Sequence, residues 1–393
     1  MATMDSLVPD MYRTDDLAVL VGTNPLPAYV AIRTLWNRTG RVFLIHTEET
    51  KSVAKRIVER AGLTVGHNGI PVQIDGMRPG DAQRKIGAAV QGSVSFGLNY
   101  TGGTKQMVVF AYQAAASELA QHGVKPCLSY LDAKTLQMRL ELGSREAACP
   151  VGLSIKPTIE DILALHGYTP NTITRRVIAP DIYPHLLQIG ARELKNWYTQ
   201  NIVPLGKQDK SAVSAPTGAV FAPIRPYLGG AADLGRLAAY WETDLATVVN
   251  WFKDHWLEQY TLWAMRAVAD ECQLQDSAMN LKPKERNFEF DAVALRGYQM
   301  FAISCANRTN MDGLKKELKL KLFEAYVRAR QMGGDEARIG LVCHAPDGND
   351  DNSVRAIQGE MEEEWDAEGR VRVFGAAALP DLPRHLKRWF LGK

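Results

Sequence analysis

The sequence lacks the features that mark most metalloproteins and nucleotide enzymes. Its 393 residues hold 5 cysteines. Cys127, Cys149, Cys272, Cys305 and Cys343 are widely spaced with no CxxC pair, so neither a zinc site nor a disulfide framework is expected. The GxxxxGK[ST] and GxGxxG patterns are both missing, which demotes nucleotide hydrolysis and dinucleotide binding. Charge of one sign is missing too: 46 Lys and Arg face 44 Asp and Glu, a net +2. Any attraction for a phosphate polymer must then come from a local basic cleft. No apolar run is long enough to cross a bilayer, and the opening MATMDSLVPDMYRTDD has no cationic stretch followed by an apolar one. No membrane partner is expected, and the cytoplasm is the expected location. Internal repeats and low-complexity tracts are absent as well.

What remains is an ordinary globular composition, 46% hydrophobic and 23% charged, in a chain long enough for at least two cores. Strand-like runs at 17–22, 42–46, 72–74 and 94–99 alternate with helical stretches at 28–37, 50–61, 80–90 and 107–122. This is the pattern of a parallel sheet covered on both faces. A strand pair at 128–131 and 138–142 ends a Rossmann-like α/β domain, 1–150. Nine prolines between Pro150 and Pro226 break up the next stretch, read as a small helical linker, 151–235, with helices at 159–166 and 182–197. The last domain, 236–393, opens with an aromatic-rich helix expected at 245–271. Strands at 288–295 and 299–305 follow around an Arg296-Gly297 turn, then a helix at 313–332 and a strand at 339–343.

Two turns of the first domain fall where an open parallel sheet binds ligands, at the carboxyl ends of its strands. In the first, Pro25 and Pro27 stiffen the chain, and Thr23 and Asn24 offer donors. In the second, Asn99-Tyr100-Thr101-Gly102-Gly103-Thr104-Lys105, two glycines let a phosphate approach the backbone, two threonines add hydroxyls and Lys105 adds charge. Each also reads as a plain capped strand-to-helix loop.

NPLP after the first strand and NYTGGTKQM after a later one resemble the CARF sensor domain, the CRISPR-associated Rossmann fold. With the C-terminal half, the whole layout is similar to the CRISPR ancillary nucleases, which join CARF through a winged-helix-like linker to a PD-(D/E)xK restriction-endonuclease-like domain. The resemblance implies a type III CRISPR effector, a homodimer binding a cyclic oligoadenylate, usually the tetra-adenylate, across its two-fold axis. By resemblance, Thr23, Asn24, Pro25, Thr101, Gly102, Gly103, Thr104 and Lys105 would hold the ring. It also implies a nuclease cleaving DNA, RNA or both with Mn²⁺ or Mg²⁺.

Metal-assisted phosphodiester cleavage needs carboxylates and a nearby lysine. Glu289 and Asp291, two apart on a strand, share a face and can hold a metal; equally, they can be the wet face of an amphipathic strand. The resemblance makes Glu258, on the aromatic-rich helix, a second metal ligand, with the Cys305 carbonyl a third donor. The (D/E)xK element then reads Ile303-Ser304-Cys305-Ala306, with Ser304 at the acid position and Ala306 at the lysine position. The intact pattern around it favours an inactivating substitution at 306 over natural degeneracy. A degenerate domain would leave a non-catalytic sensor or regulator. On the following helix, Lys315 and Lys319 share a face that Arg308 can join, either a solvated surface or a wall that tracks nucleic acid. Lys315 is the expected stand-in for the missing lysine.

Overall fold

The computed structural model describes residues 7–189, 191–307, 314–344, 351–365 and 367–392; at 191, 314, 315 and 351–355 it describes the backbone alone. The chain forms two compact units. The first runs to Pro170 and takes in Arg296–Gln299 and Arg330–Ala337; the second holds the remainder.

The first unit is built on strands β1 (Asp16–Leu20), β2 (Val42–His46), β3 (Gly69–Gln73), β4 (Phe96–Asn99), β5 (Cys127–Asp132), β6 (Gln137–Leu142) and β7 (Arg145–Pro150). Their order is β3-β2-β1-β4-β5-β6-β7. The five strands from β3 to β5 run parallel, and β6 and β7 add an antiparallel meander. Every residue of β1 and β2 is buried, which is why both read as continuous apolar runs rather than alternating ones. Ala18, Leu20, Phe43, Ile45, Phe96 and Leu98 pack with Met107 and Ala111 of the helix Lys105–Ala120. Because β1 lies between β2 and β4, the chain leaves the sheet in opposite directions at β1 and β4. That opens a crevice at their carboxyl ends.

The second sheet contains β8 (Pro170–Thr174), β9 (Leu274–Pro283), β10 (Phe290–Arg296), β11 (Gln299–Asn307), β12 (Arg338–His344) and β13 (Val371–Phe374). The order is β13-β12-β11-β10-β9-β8, with β11, β12 and β13 parallel. The proline-rich stretch is shared between the units: the helix Ile159–Leu165 belongs to the first, and the chain enters the second at Asn171. There β8 joins the sheet edge, and Ile182, Tyr183, Leu186, Ile224 and Leu228 enter the same core as Trp251, Trp256, Phe301 and Trp389. Prolines break its helices but do not keep its apolar residues out of that core.

The single helix expected at 245–271 is divided. Asp244 caps Leu245–Asn250 by accepting from the Thr247 amide at 2.7 Å. A π-helical turn, Trp251–His255, follows, then the helices Trp256–Ala267 and Ala269–Cys272. Trp251, Phe252, Trp256 and Leu257 are all buried. Two adjacent bulky pairs five residues apart fit a turn closed from i to i+5 better than a 3.6-residue period. The extra residue also sets the phase of the next helix, which carries Glu258.

Candidate functional site

In the first unit, both glycine-bearing turns meet in the crevice at β1 and β4. A Cβ on Gly22 would lie 3.0 Å from the Gly103 nitrogen, and one on Gly102 would overlap the Leu20 carbonyl oxygen. Gly103 has a φ of 75°, in the left-handed region that costs other residues strain. The two backbones therefore touch directly, and only glycine allows it. Several side-chain donors and acceptors expected to face a ligand are used inside the turns. The Thr101 hydroxyl accepts from the Leu131 amide at 2.7 Å, and Thr104 caps its helix by accepting from the Met107 amide at 3.2 Å. Asn24 accepts from the Leu26 amide at 3.1 Å, and its own amide donates to Glu336 at 3.4 Å. Pro25 is buried; Thr23, Gly103, Thr104 and Lys105 are exposed.

Beside Thr104 and Gln106 a 490 Å³ cleft opens toward the segments after β2 and β3. Two of its acids are paired, Glu48 with Lys51 at 3.6 Å and Asp75 with Arg78 at 3.2 Å, and the third, Glu49, is exposed to solvent. The crevice can therefore accept an anion through main-chain groups, the Thr23 hydroxyl and the Lys105 ammonium.

In the second unit, the hairpin of β10 and β11 brings Asp291 opposite Ser304. The Asp291 carboxylate accepts from the Ser304 hydroxyl at 3.1 Å and from the Cys305 amide at 2.6 Å. The ammonium completing this group belongs to Lys321, on the helix Leu314–Gly333. It lies 3.0 Å from Asp291 and also donates to the Cys305 carbonyl. Burial alone would lower the Lys321 pKa, but the Asp291 carboxylate reverses this and the net shift is upward. Ala306 is 2% exposed and paired in register with Cys343. A small apolar side chain thus fills the expected lysine position while an amine arrives from the helix. Lys315 and Arg308 lie outside the described side chains, and Lys319 is held by Glu360 and, at 3.7 Å, by Glu364.

Glu258 is brought to the same cluster. With its amide nitrogen turned toward the acids, Asn280 donates to Glu258 at 2.9 Å and to Glu289 at 3.1 Å. Asn280 itself sits at a φ of 53°, a left-handed kink inside β9 that asparagine tolerates better than most residues. Lys282 pairs with Glu289 at 2.8 Å. Burial, then the Asp291 and Glu289 charges, push the Glu258 carboxyl up to about 9, so at neutral pH it carries a proton. The cluster then balances: Asp291 against Lys321, Glu289 against Lys282, and Glu258 neutral. Among the described residues, no three His, Cys, Asp or Glu side chains gather as a metal site. The oxygens present are those of the Glu258, Asp291 and Glu289 carboxylates, the Ser304 hydroxyl and the Cys305 carbonyl, to which Lys321 donates. Sequence reasoning missed the roles of Asn280 and Lys321, the first because β9 was not foreseen.

No protein-family model and no curated protein matches the chain. Among solved structures it is similar to Can2 from Sulfobacillus thermosulfidooxidans in complex with cyclic tetra-adenylate. That match covers 97% of this chain and 98% of Can2, with a TM-score of 0.65 and 16% identity. Protein VC1899 from Vibrio cholerae matches over 96% of this chain and 98% of its own, with a TM-score of 0.66 and 16% identity. The mixed α/β fold, with a Rossmann-like first unit and a second α/β unit, is thus one seen before across a whole chain of this length.

Proposed function

We propose that this protein is a type III CRISPR effector gated by a cyclic oligoadenylate, with the tetra-adenylate as its activator. The observation that carries the reading is the backbone contact of Gly22 with Gly102 and Gly103. It builds an anion-accepting crevice at the switch point of the sheet and leaves Thr23, Gly103 and Lys105 open to solvent. The likeness to Can2, solved with cyclic tetra-adenylate, supports that ring as the ligand. Two such crevices facing each other across a homodimer axis suit an evenly charged ring. Titration calorimetry with cyclic tetra-adenylate tests this: saturation at one ring per two chains is expected, with weakened binding in Lys105→Ala. No heat with cyclic adenylates of any size overturns it.

The second unit is a metal-dependent nuclease acting on DNA, RNA or both in this proposal. Glu258, Asp291 and the Cys305 carbonyl form an oxygen-only donor set, which suits Mg²⁺ or Mn²⁺. Burial raises Glu258 first, and the Asp291 and Glu289 charges add to it; that added repulsion is what a divalent cation would relieve. Such a cation, when bound, polarises a phosphodiester as a Lewis acid. Ser304 and Asn280 hold Asp291 and Glu258 in place, and Lys321 supplies the ammonium that stabilises charge on the reacting phosphate.

A second reading is a non-catalytic sensor that binds the ring and cleaves nothing. Ser304 and Ala306, without carboxylate or amine, favour it. Cleavage of labelled single strands and supercoiled plasmid with the activator and Mn²⁺ selects the nuclease. Intact ring binding with no cleavage selects the sensor.

A further inference from the structure

We propose that the open groove at the turn between β9 and β10 is a track for a single strand of nucleic acid leading to the Asp291 cluster. The inference rests on the nuclease reading and gives it a substrate path. The groove encloses about 620 Å³ and is lined by Lys282, Lys284, Arg286 and Arg328 against Glu285 and Glu289. Its cations are not equivalent. Lys282 is paired with Glu289, and Arg328 with Glu324 at 3.1 Å. Lys284 and Arg286 are exposed, and neither has an acidic partner among the described residues. They differ in this from Lys319, whose charge two glutamates already compensate. Phosphates are drawn to the uncompensated pair.

The groove also has an aromatic wall. Phe288 is half-buried and meets the edge of Phe290 at a ring distance of 5.5 Å, and the Arg328 guanidinium lies 5.4 Å over its ring. A cation-backed aromatic beside uncompensated basic side chains is a platform on which a base stacks while its phosphates follow the charges. Duplex bases are already stacked and cannot use such a wall, so a single strand is the occupant. The far wall is Glu289, which Asn280 ties to Glu258. The Glu289 end of the groove therefore stands one asparagine away from Glu258.

The test is fluorescence anisotropy of the full-length protein with labelled oligo(dT) and oligo(U), with and without cyclic tetra-adenylate. The double reversal Lys284→Glu/Arg286→Glu is expected to weaken binding on the order of tenfold and to lower the slope of log K against log salt by about 1.4, two single-strand phosphate contacts. Phe288→Ala is expected to weaken binding several-fold with the slope unchanged. The reversal Lys156→Glu/Lys207→Glu, at exposed lysines outside the groove, controls for bulk charge and leaves both slope and affinity near the parent. Unchanged binding and cleavage in the Lys284/Arg286 variant overturns the groove while the nuclease reading stands. A parent protein that neither binds nor cuts any oligonucleotide overturns both. Polyglutamate competing as strongly as oligo(dT) assigns the groove to an acidic peptide and overturns it as well.

Discussion

On the proposed reading, the crevice of the first unit and the acid cluster of the second would both handle phosphate, by opposite means. The crevice is made of main chain: Gly22, Gly102 and Gly103 in direct contact, with Thr101 and Thr104 spent on holding it. The cluster is made of side chains from three strands and two helices, balanced by two ion pairs and a retained proton. A main-chain site is rigid and indifferent to pH, and it fails only when the backbone is displaced. A charge-balanced site keeps its fold when altered but changes its protonation and its affinity for cations. The most severe test of this contrast is Gly102→Ala. The added methyl overlaps the Leu20 carbonyl oxygen, so strand or turn must move rather than a side chain. A loss of about 1–3 kcal/mol in urea denaturation is expected, together with loss of calorimetric binding of the ring. Thr23→Ala, at an exposed position of the same crevice, is expected to keep full stability. Native stability in Gly102→Ala would break the main-chain account.

The same contrast explains what the sequence revealed. The crevice turns are contiguous, so Thr23 to Pro25 and Thr101 to Lys105 could be picked out without any tertiary information. Strand β2 was legible because four consecutive apolar residues, Val42 to Ile45, are all buried. Strand β9, LQDSAMNLKP, neither alternates nor forms an apolar run, and its left-handed Asn280 interrupts it; nothing local marks it. The cluster joins residues 258, 280, 289, 291, 304 and 321. Only Glu289 and Asp291, two apart on one expected strand, follow from sequence geometry; Glu258 and Ser304 came with the resemblance. A lysine-rich helix was evident, but its phase against the sheet is set by packing, and this phase chose Lys321. The two five-residue steps, Trp251 to Trp256 and Phe252 to Leu257, were a signal for the π turn, readable once the i to i+5 spacing is counted.

Lys321→Ala sharpens the comparison from the other side. It is expected to leave ring binding in the first unit unchanged, since the crevice uses none of its atoms. Cleavage should fall by about a hundredfold or more, the usual cost of removing one preorganised donor at a charge-developing centre. Lys321→Ala combined with Ala306→Lys then asks whether the two positions serve one role. Recovered cleavage says they do. Equal rates for the parent and Lys321→Ala exclude the amine from the chemistry.

The smallest expected effect is on stability against pH. The Glu258 carboxyl lies near 9 in the folded protein and at its ordinary 4.5 when free. Between those values the folded state holds a proton that the unfolded chain has released, so rising pH favours unfolding across that window. Below it both states are protonated and the contribution vanishes. Glu258→Gln removes the titration but keeps the shape and an acceptor for Asn280. Its melting temperature is expected to match the parent near pH 4 and to exceed it by a growing margin toward about pH 8. If the cluster holds a divalent cation as proposed, that order is expected to invert, because the cation binds the deprotonated carboxylate. Mn²⁺ should raise the parent's melting temperature more at high pH than at neutral pH and leave Glu258→Gln nearly unmoved. A parent and variant whose melting temperatures run parallel at every pH would mean that Glu258 is not the buried proton holder, and the cluster would then be balanced by some other group.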